Sequence, residues 1–348
     1  MTDPKSEEKE KFGNIQAWSR ELHIAEEVLR DRLSGANSVA GRLADGNVDS
    51  FYSESDVRRL CADVLKNNKF LRFMSSHLVA LVGEYETLRD GQVVTRDAFV
   101  LSGFILSLFS RWFWVTAGHC LKVFDKPIRK GQLRIVHSGF ADYFGLDATY
   151  EHNIPFTYEP DCGFYVENES EGLDYGLIML DDLQQKAFEK NGVKPVSREN
   201  WIKQKDLEFT HFKILGFPDH RIRRAVNEDG GVTGLFQPVM FAIDRIDAAD
   251  IPLCSSDAWF AGQIPSDVTI PDIVGTSGGP IYGFRQAQNG QWYYHVVALQ
   301  SRWYPDRRII LGCSLPLFAE ECHKSLEEFA KSLIGGEPDT SSEEKRGQ

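Results

Sequence analysis

Basic charge is scarce in this chain: 39 Lys and Arg stand against 51 Asp and Glu, a net charge of −12 over 348 residues. An acidic molecule repels phosphate backbones at long range, which disfavours nucleic-acid binding by the protein as a whole. Cysteine is sparse too. Cys61, Cys120, Cys162, Cys254, Cys313 and Cys322 are scattered, with no C-x-x-C pair and no zinc-type spacing, and no metal or organic cofactor is expected. A membrane-spanning run is lacking: the most apolar stretch, Ala98 to Trp114, is broken by Gly103, Ser107, Ser110 and Arg111. The opening residues carry no apolar segment behind a basic one, so a secretory signal is not expected. Reduced thiols and a cytoplasmic location follow as expectations.

What is present is an ordinary globular balance, 42% hydrophobic and 26% charged. Residues 1–13 are charged and read as a disordered tail. Residues 14–72 read as a small helical domain. Ile15, Trp18, Leu22, Ala25, Leu29 and Leu33 recur at helical steps, a Gly- and Asn-bearing segment over 34–47 breaks the pattern, and a second helix is expected from Ser55 to Lys66. From about His77 the period changes to short runs rich in Val, Leu and Phe with turn residues between them, the pattern of an all-β sandwich or barrel. A helix is expected over 315–333, stopped by Gly335-Gly336, and residues 334–348 read as a second disordered tail.

Three local patterns carry chemistry. Val115-Thr116-Ala117-Gly118-His119-Cys120 follows an apolar strand, Leu173-Asp174 enters another, and Gly275-Thr276-Ser277-Gly278-Gly279-Pro280 is a glycine-rich turn leading into a third. A serine hydroxyl is a weak nucleophile near neutral pH and needs a base beside it. Histidine is that base, because its pKa lies near working pH. A carboxylate on the far ring nitrogen fixes the tautomer, and amides of a tight turn can hold a developing oxyanion.

These strings resemble the His, Asp and Ser motifs of the chymotrypsin/trypsin-like serine peptidases, in that family's chain order. The resemblance covers residues 77–333. It implies a mainly β fold of two antiparallel barrels, the first over about 77–185 and the second over about 208–314, with the helix 315–333 after them and the small helical domain before. It implies a triad of His119, Asp174 and Ser277, with the N–H groups of Gly275 and Ser277 as oxyanion hole. Ser301 would bond Asp174, and Ser301, Arg302 and Trp303 would line the substrate groove. Pro271 and Asp272 would lie at the specificity pocket with Trp303, whose bulk narrows the entrance and favours a small or medium apolar residue before the scissile bond. Asp272 leaves a basic preference open. Thr276 stands where secreted members usually carry Asp, which puts activation by a released N-terminus in doubt.

The chain is therefore expected to be a serine endopeptidase acting on protein or peptide substrates, with residues 14–72 as a regulatory or targeting module that could hold a protein partner. Residues 15–33 also resemble a degenerate helix-turn-helix, but Glu26-Glu27 would open its second helix against phosphates, so DNA binding is not favoured. The alternatives are a catalytically silent trypsin-like fold that binds proteins, and a DNA-associated regulator.

Overall fold

Alternation of apolar and polar residues organises most of the chain beyond residue 75 into antiparallel sheet in the computed structural model of the protein. The structure describes residues 12–14, 26–34, 39–42, 48–53, 57, 70–108, 110–142, 153–201, 207–226, 232–236, 238–248, 251, 258–268 and 272–322. The chain divides into two compact units, Met1–Met74 and Ser75–Gln348.

The first unit departs from the all-helical expectation. It holds strands β1 (Phe12–Asn14), β2 (Val39–Arg42) and β3 (Val48–Ser53) in one three-stranded sheet of order β1-β3-β2, beside helix α1 (Glu26–Leu33). The segment read as a helix break is part of a β2–β3 antiparallel pair. Its Asp45-Gly46 dipeptide is a strong hairpin signal, and Val48, Phe51 and Tyr52 favour extended backbone. Residues 15–25, 55–56 and 58–66 of the expected N-terminal helices, 323–333 of the expected C-terminal helix, 1–11 of the first expected tail and all of the second, 334–348, lie outside the described residues, whereas residues 12 and 13 of the first tail belong to β1.

The second unit is mainly β, built from a seven-stranded antiparallel sheet and a closed six-stranded barrel. The sheet runs in the order β8 (Ile154–Pro155), β7 (Leu133–Ala141), β4 (Leu78–Arg89), β5 (Gln92–Leu108), β6 (Arg111–Thr116), β10 (Leu173–Met179) and β9 (Phe164–Asn168). It curls around a core centred on Trp114, Phe140, Leu81 and Ile105. Among the described residues its ladder does not close on itself, and with the closed barrel that follows it is consistent with the two-barrel fold that the resemblance implied. One edge, β8, is only two residues long and ends in Pro155, which has no N–H to extend a ladder. Two helices that the strand reading missed cover this sheet, α2 (Gly118–Arg129) and α3 (Asp182–Lys190). The start of α3 was legible, because Asp181 and Gln184 form a capping box: the Asp181 carboxylate accepts from Gln184 N–H at 2.7 Å, and the Gln184 side chain accepts from Asp181 N–H at 3.0 Å.

The barrel closes in the order β11 (His211–Gly216), β14 (Val239–Ile246), β15 (Trp259–Gln263), β18 (Ile309–Ser314), β17 (Trp292–Tyr304) and β16 (Pro280–Gln286). Phe212, Ile214, Phe241, Ile281 and Ile310 fill it. A separate hairpin, β12 (Ile222–Val226) with β13 (Val232–Phe236), leaves the barrel between β11 and β14. Residues 315–322 turn helical directly after β18.

Polar contacts join sheet and barrel. Ser102 of β5, a buried hydroxyl in an apolar run, donates to the Gly275 carbonyl at 2.7 Å and accepts from the Phe217 N–H at 2.9 Å. Buried His77 receives the Tyr294 hydroxyl at 2.8 Å on Nε2 and donates from Nδ1 to the Lys194 carbonyl at 2.7 Å; burial lowers its pKa to about 4, so it stays neutral in this role. Gly278 sits at the tightest point of the join. Its φ is +89°, and a Cβ there would overlap Thr116 Oγ1 and the Ser102 carbonyl and stand 2.9 Å from Ala117 N. Gly278→Ala is expected to cost about 3 kcal/mol or more, combining left-handed strain with a backbone clash. Chemical denaturation of the variant should show a lowered midpoint; an unchanged midpoint would mean that this contact is not formed.

Candidate active site

The three motif residues come from three different elements. His119 lies in the first turn of α2, Asp174 near the start of β10, and Ser277 in the turn before β16. Helix α2 has no side-chain cap, since Ala117 occupies its N-cap position. The Asp174 carboxylate takes over that task. Its Oδ1 accepts the His119 backbone N–H at 2.9 Å, satisfying one of the donors a helix start leaves unpaired. Its Oδ2 accepts from the His119 ring Nδ1 at 2.7 Å. Both backbone and ring of His119 are thus held by one carboxyl group, whose side chain is 2% exposed, while the imidazole is 39% exposed.

This geometry sets the protonation states. Burial alone would lower the imidazole pKa, but the hydrogen bonds to Asp174 and Cys120 reverse that and push it above its ordinary value. Burial would likewise raise the Asp174 carboxyl, yet the hydrogen bond and charge of His119, with the Ser301 hydroxyl, hold it below the usual range. With a carboxylate on Nδ1, the neutral ring carries its proton there and leaves Nε2 as the basic nitrogen.

Ser301 supplies the third contact on Asp174, donating its hydroxyl to Oδ2. It reaches inward because the β17–β18 ladder is irregular at this point: pairing passes from Gln300 to Arg302, and Ser301 is the extra residue. A bulge of this kind re-aims a side chain. The carbonyl of the same residue accepts the Ser277 hydroxyl at 3.4 Å, a long bond. The structure therefore unites His119, Asp174 and Ser301 in one hydrogen-bonded file and leaves the Ser277 hydroxyl beside it, turned onto the strand and not onto the ring. The serine turn abuts the histidine segment. Cys120 Sγ lies 3.8 Å from the Ser277 carbonyl, and Gly278 packs on Thr116 and Ala117.

The turn itself is locked from within. Thr276 N–H donates to the Ile273 carbonyl at 3.1 Å, Gly278 N–H to Gln300 at 2.7 Å and Gly279 N–H to Thr276 at 2.8 Å. The Thr276 hydroxyl also donates to the Ile273 carbonyl, at 2.8 Å. Among the described residues, no acceptor stands on the N–H of Gly275 or of Ser277. Gly275 takes a φ of +93°, and Ser102 fixes its carbonyl on the far side of the join. Ser102 and Gln300 were not singled out in the sequence. A serine interrupting the Ala98–Leu108 run was the available signal for the first, and the second had none.

The remaining expected residues divide. Pro271 lies outside the described residues. Asp272 is half-buried, and its carboxylate accepts the N–H groups of Ile273 at 2.7 Å and Val274 at 3.2 Å, so it is engaged in shaping the approach to the turn. Trp303 pairs with Ile310 across the β17–β18 ladder and packs on the barrel core that also holds Ile273. Arg302 turns to Glu169, with Nη1 donating to Oε1 at 3.0 Å. Cys313, buried behind Asp174, has its thiol pushed up to about 12 by burial and is inert.

No protein-family model matches the chain, and no curated protein does. Solved structures similar in fold include a Glu endopeptidase in complex with MPD, 14% identical, with a TM-score of 0.36, covering 72% of this chain and 90% of its own. HL collagenase is 13% identical, with a TM-score of 0.34, covering 74% of this chain and 94% of its own. These are likenesses of shape. No helix among the described residues is long and apolar enough to cross a membrane.

Proposed function

We propose that the protein is a serine endopeptidase working through an acyl-enzyme, with Ser277 as nucleophile, His119 as general base and acid, Asp174 as the group that orients and charges His119, and the Gly275 and Ser277 amides as oxyanion hole. The observation that carries this reading is the His119–Asp174–Ser301 file standing beside a serine whose turn keeps two amides without an acceptor among the described residues. In the proposed active form the Ser277 hydroxyl leaves its long bond to the Ser301 carbonyl and bonds Nε2. Catalytic hydrogen bonds commonly tighten only when substrate is bound.

In the proposed sequence, His119 Nε2 takes the hydroxyl proton as Ser277 Oγ attacks the peptide carbonyl. The C–O bond forms as the carbonyl electrons move onto oxygen, where the two amides meet them. Collapse expels the amine, which receives the proton from the imidazolium. A water then repeats the two steps on the acyl-serine. The internal locking of the turn by Thr276 supports a form that needs no released N-terminus.

Trp303 packs on the barrel core that holds Ile273, at the foot of the turn, which supports a small or medium apolar residue before the scissile bond. The engagement of Asp272 with two backbone N–H groups weakens the basic alternative. Digestion of a peptide library should yield cleavage after Ala, Val or similar residues. A profile dominated by Lys and Arg would overturn this specificity, and an uncut library at high enzyme concentration would favour the silent binding fold. We assign the N-terminal region, residues 14–72, a targeting or regulatory role inside the cell through a protein partner. A steep fall of DNA affinity with salt, measured on the full chain, would support the DNA-associated reading instead.

A further inference from the structure

Glu169 begins the short 3-10 turn, Glu169–Glu171, that delivers Leu173 and Asp174 into β10. This turn belongs to the sheet, and besides its own bonds, Gly172 N–H to the Glu169 carbonyl and the Ser170 hydroxyl to Asn168 Oδ1, it is held from the barrel. Arg302 Nη1 donates to Glu169 Oε1 at 3.0 Å, and Trp259 Nε1 donates to the Glu169 carbonyl at 3.1 Å. The Arg302 guanidinium also lies over the Trp259 ring, 5.9 Å from its centroid. Gly172, in the left-handed region at φ +69°, lets the turn come so close that a Cβ there would stand 2.9 Å from Ala258 Cβ and 3.1 Å from Trp259 N. Arg302 directly follows Ser301, whose hydroxyl is on Asp174. One strand of the barrel thus grips the Asp174 segment twice, at the carboxylate and at the turn before it.

We infer that Arg302, stacked on Trp259, is a latch on Glu169 that holds the Asp174 end of β10 against the barrel, making Arg302 a positioning residue for His119 and not a contact for substrate. The catalytic half of this inference rests on the peptidase reading; the structural half does not. Releasing the latch lets the turn drift, and small misplacements of a carboxylate weaken its hold on the imidazole. The groups facing His119 among the described residues are Asp174 from β10 and Cys120 from its own helix. Behind Asp174 stand Ser301 from β17 and Cys313 from β18. Loss of the latch acts on the first of these.

The test uses the full chain with Arg302→Ala, Arg302→Lys and Glu169→Gln. The His119 imidazole is titrated by NMR, and kcat and KM are measured on a neutral and an acidic peptide. Arg302→Ala and Glu169→Gln should lower kcat about fivefold, as expected for losing an exposed ion pair of up to about 1 kcal/mol, with KM unchanged on both peptides. The imidazole pKa should fall by roughly half a pH unit. Arg302→Lys keeps the charge near Glu169 and should recover much of both. An unchanged imidazole titration in Arg302→Ala overturns the latch, including where kcat falls together with the unfolding midpoint. So does an effect confined to KM for the acidic peptide, which would make Arg302 a reader of substrate charge. If the wild type cuts no peptide at all, the peptidase reading fails, while the titration still decides the latch.

Discussion

Ser277→Ala is expected to reduce kcat for peptide hydrolysis by about 10^4- to 10^6-fold while leaving the protein folded. The reaction needs an oxygen at this position to form the acyl bond, and no neighbouring group can replace it. Cys120 is buried, and its thiol is engaged with the Ser277 carbonyl and the His119 ring. The fold should tolerate the change, because among the described residues the hydroxyl contributes one long hydrogen bond, to the Ser301 carbonyl at 3.4 Å. The turn is held by its own backbone bonds and by Ser102, none of which involves the Ser277 side chain. His119→Ala should cost a similar factor. The double variant should cost little more than either single change, since nucleophile and base act as one unit. Steady-state kinetics on the best library peptide, with unfolding midpoints alongside, checks all three. A Ser277→Ala protein retaining a tenth of the activity would require another nucleophile.

Asp174→Asn should lower kcat by about 10^4-fold, and by a different route. The amide keeps the shape of the side chain, and its oxygen can still accept the His119 backbone N–H, so the start of α2 stays capped. Its NH2 group, however, faces Nδ1, from which the carboxylate accepted a hydrogen bond. The ring must then place its own proton on Nε2, the nitrogen that has to act as base. The pH dependence gives a second readout. In the wild type, Asp174 raises the imidazole pKa, so the basic form is populated only above that value and the acid limb of kcat/KM should lie above 6.5, the ordinary pKa of histidine. Removing the negative charge removes this support, and the limb of the residual Asp174→Asn activity should move to lower pH. A limb that stays in place would mean that His119 is not the titrating base.

Much of this site was readable from residue order, because its chemistry is local at each motif. A histidine in a T-A-G-H-C string behind an apolar strand, an aspartate entering an apolar strand and a serine in a glycine-rich turn each keep their own signature. The strands were legible for a related reason: β4, β5, β16 and β17 carry continuous buried runs, such as Leu78–Leu81 and Val296–Leu299. Other features were hidden by competing signals. Helix α2 contains Pro127 and lacks a side-chain cap, so it reads as a loop, although its burial against the sheet makes it helical. The hairpin β2–β3 sits in a stretch whose glycines and asparagine also suit a linker. Of the contacts that fix the site between sheet and barrel, the bond of Ser301 to Asp174 was expected from the resemblance, and the others were not legible. Ser102 meets Gly275 across 173 residues and Arg302 meets Glu169 across 133, and no local pattern marks such partners. Trp303 shows the limit within a motif, since its packing on the barrel core depends on Ile310 across the ladder.

The most direct measurement is the reaction of the full-length protein with a fluorophosphonate, followed by intact mass and peptide mapping. The account requires one covalent adduct on Ser277, formed in wild type, lost in Ser277→Ala and strongly slowed in Asp174→Asn. A wild type that stays unlabelled, or a label that remains after Ser277→Ala, would contradict it.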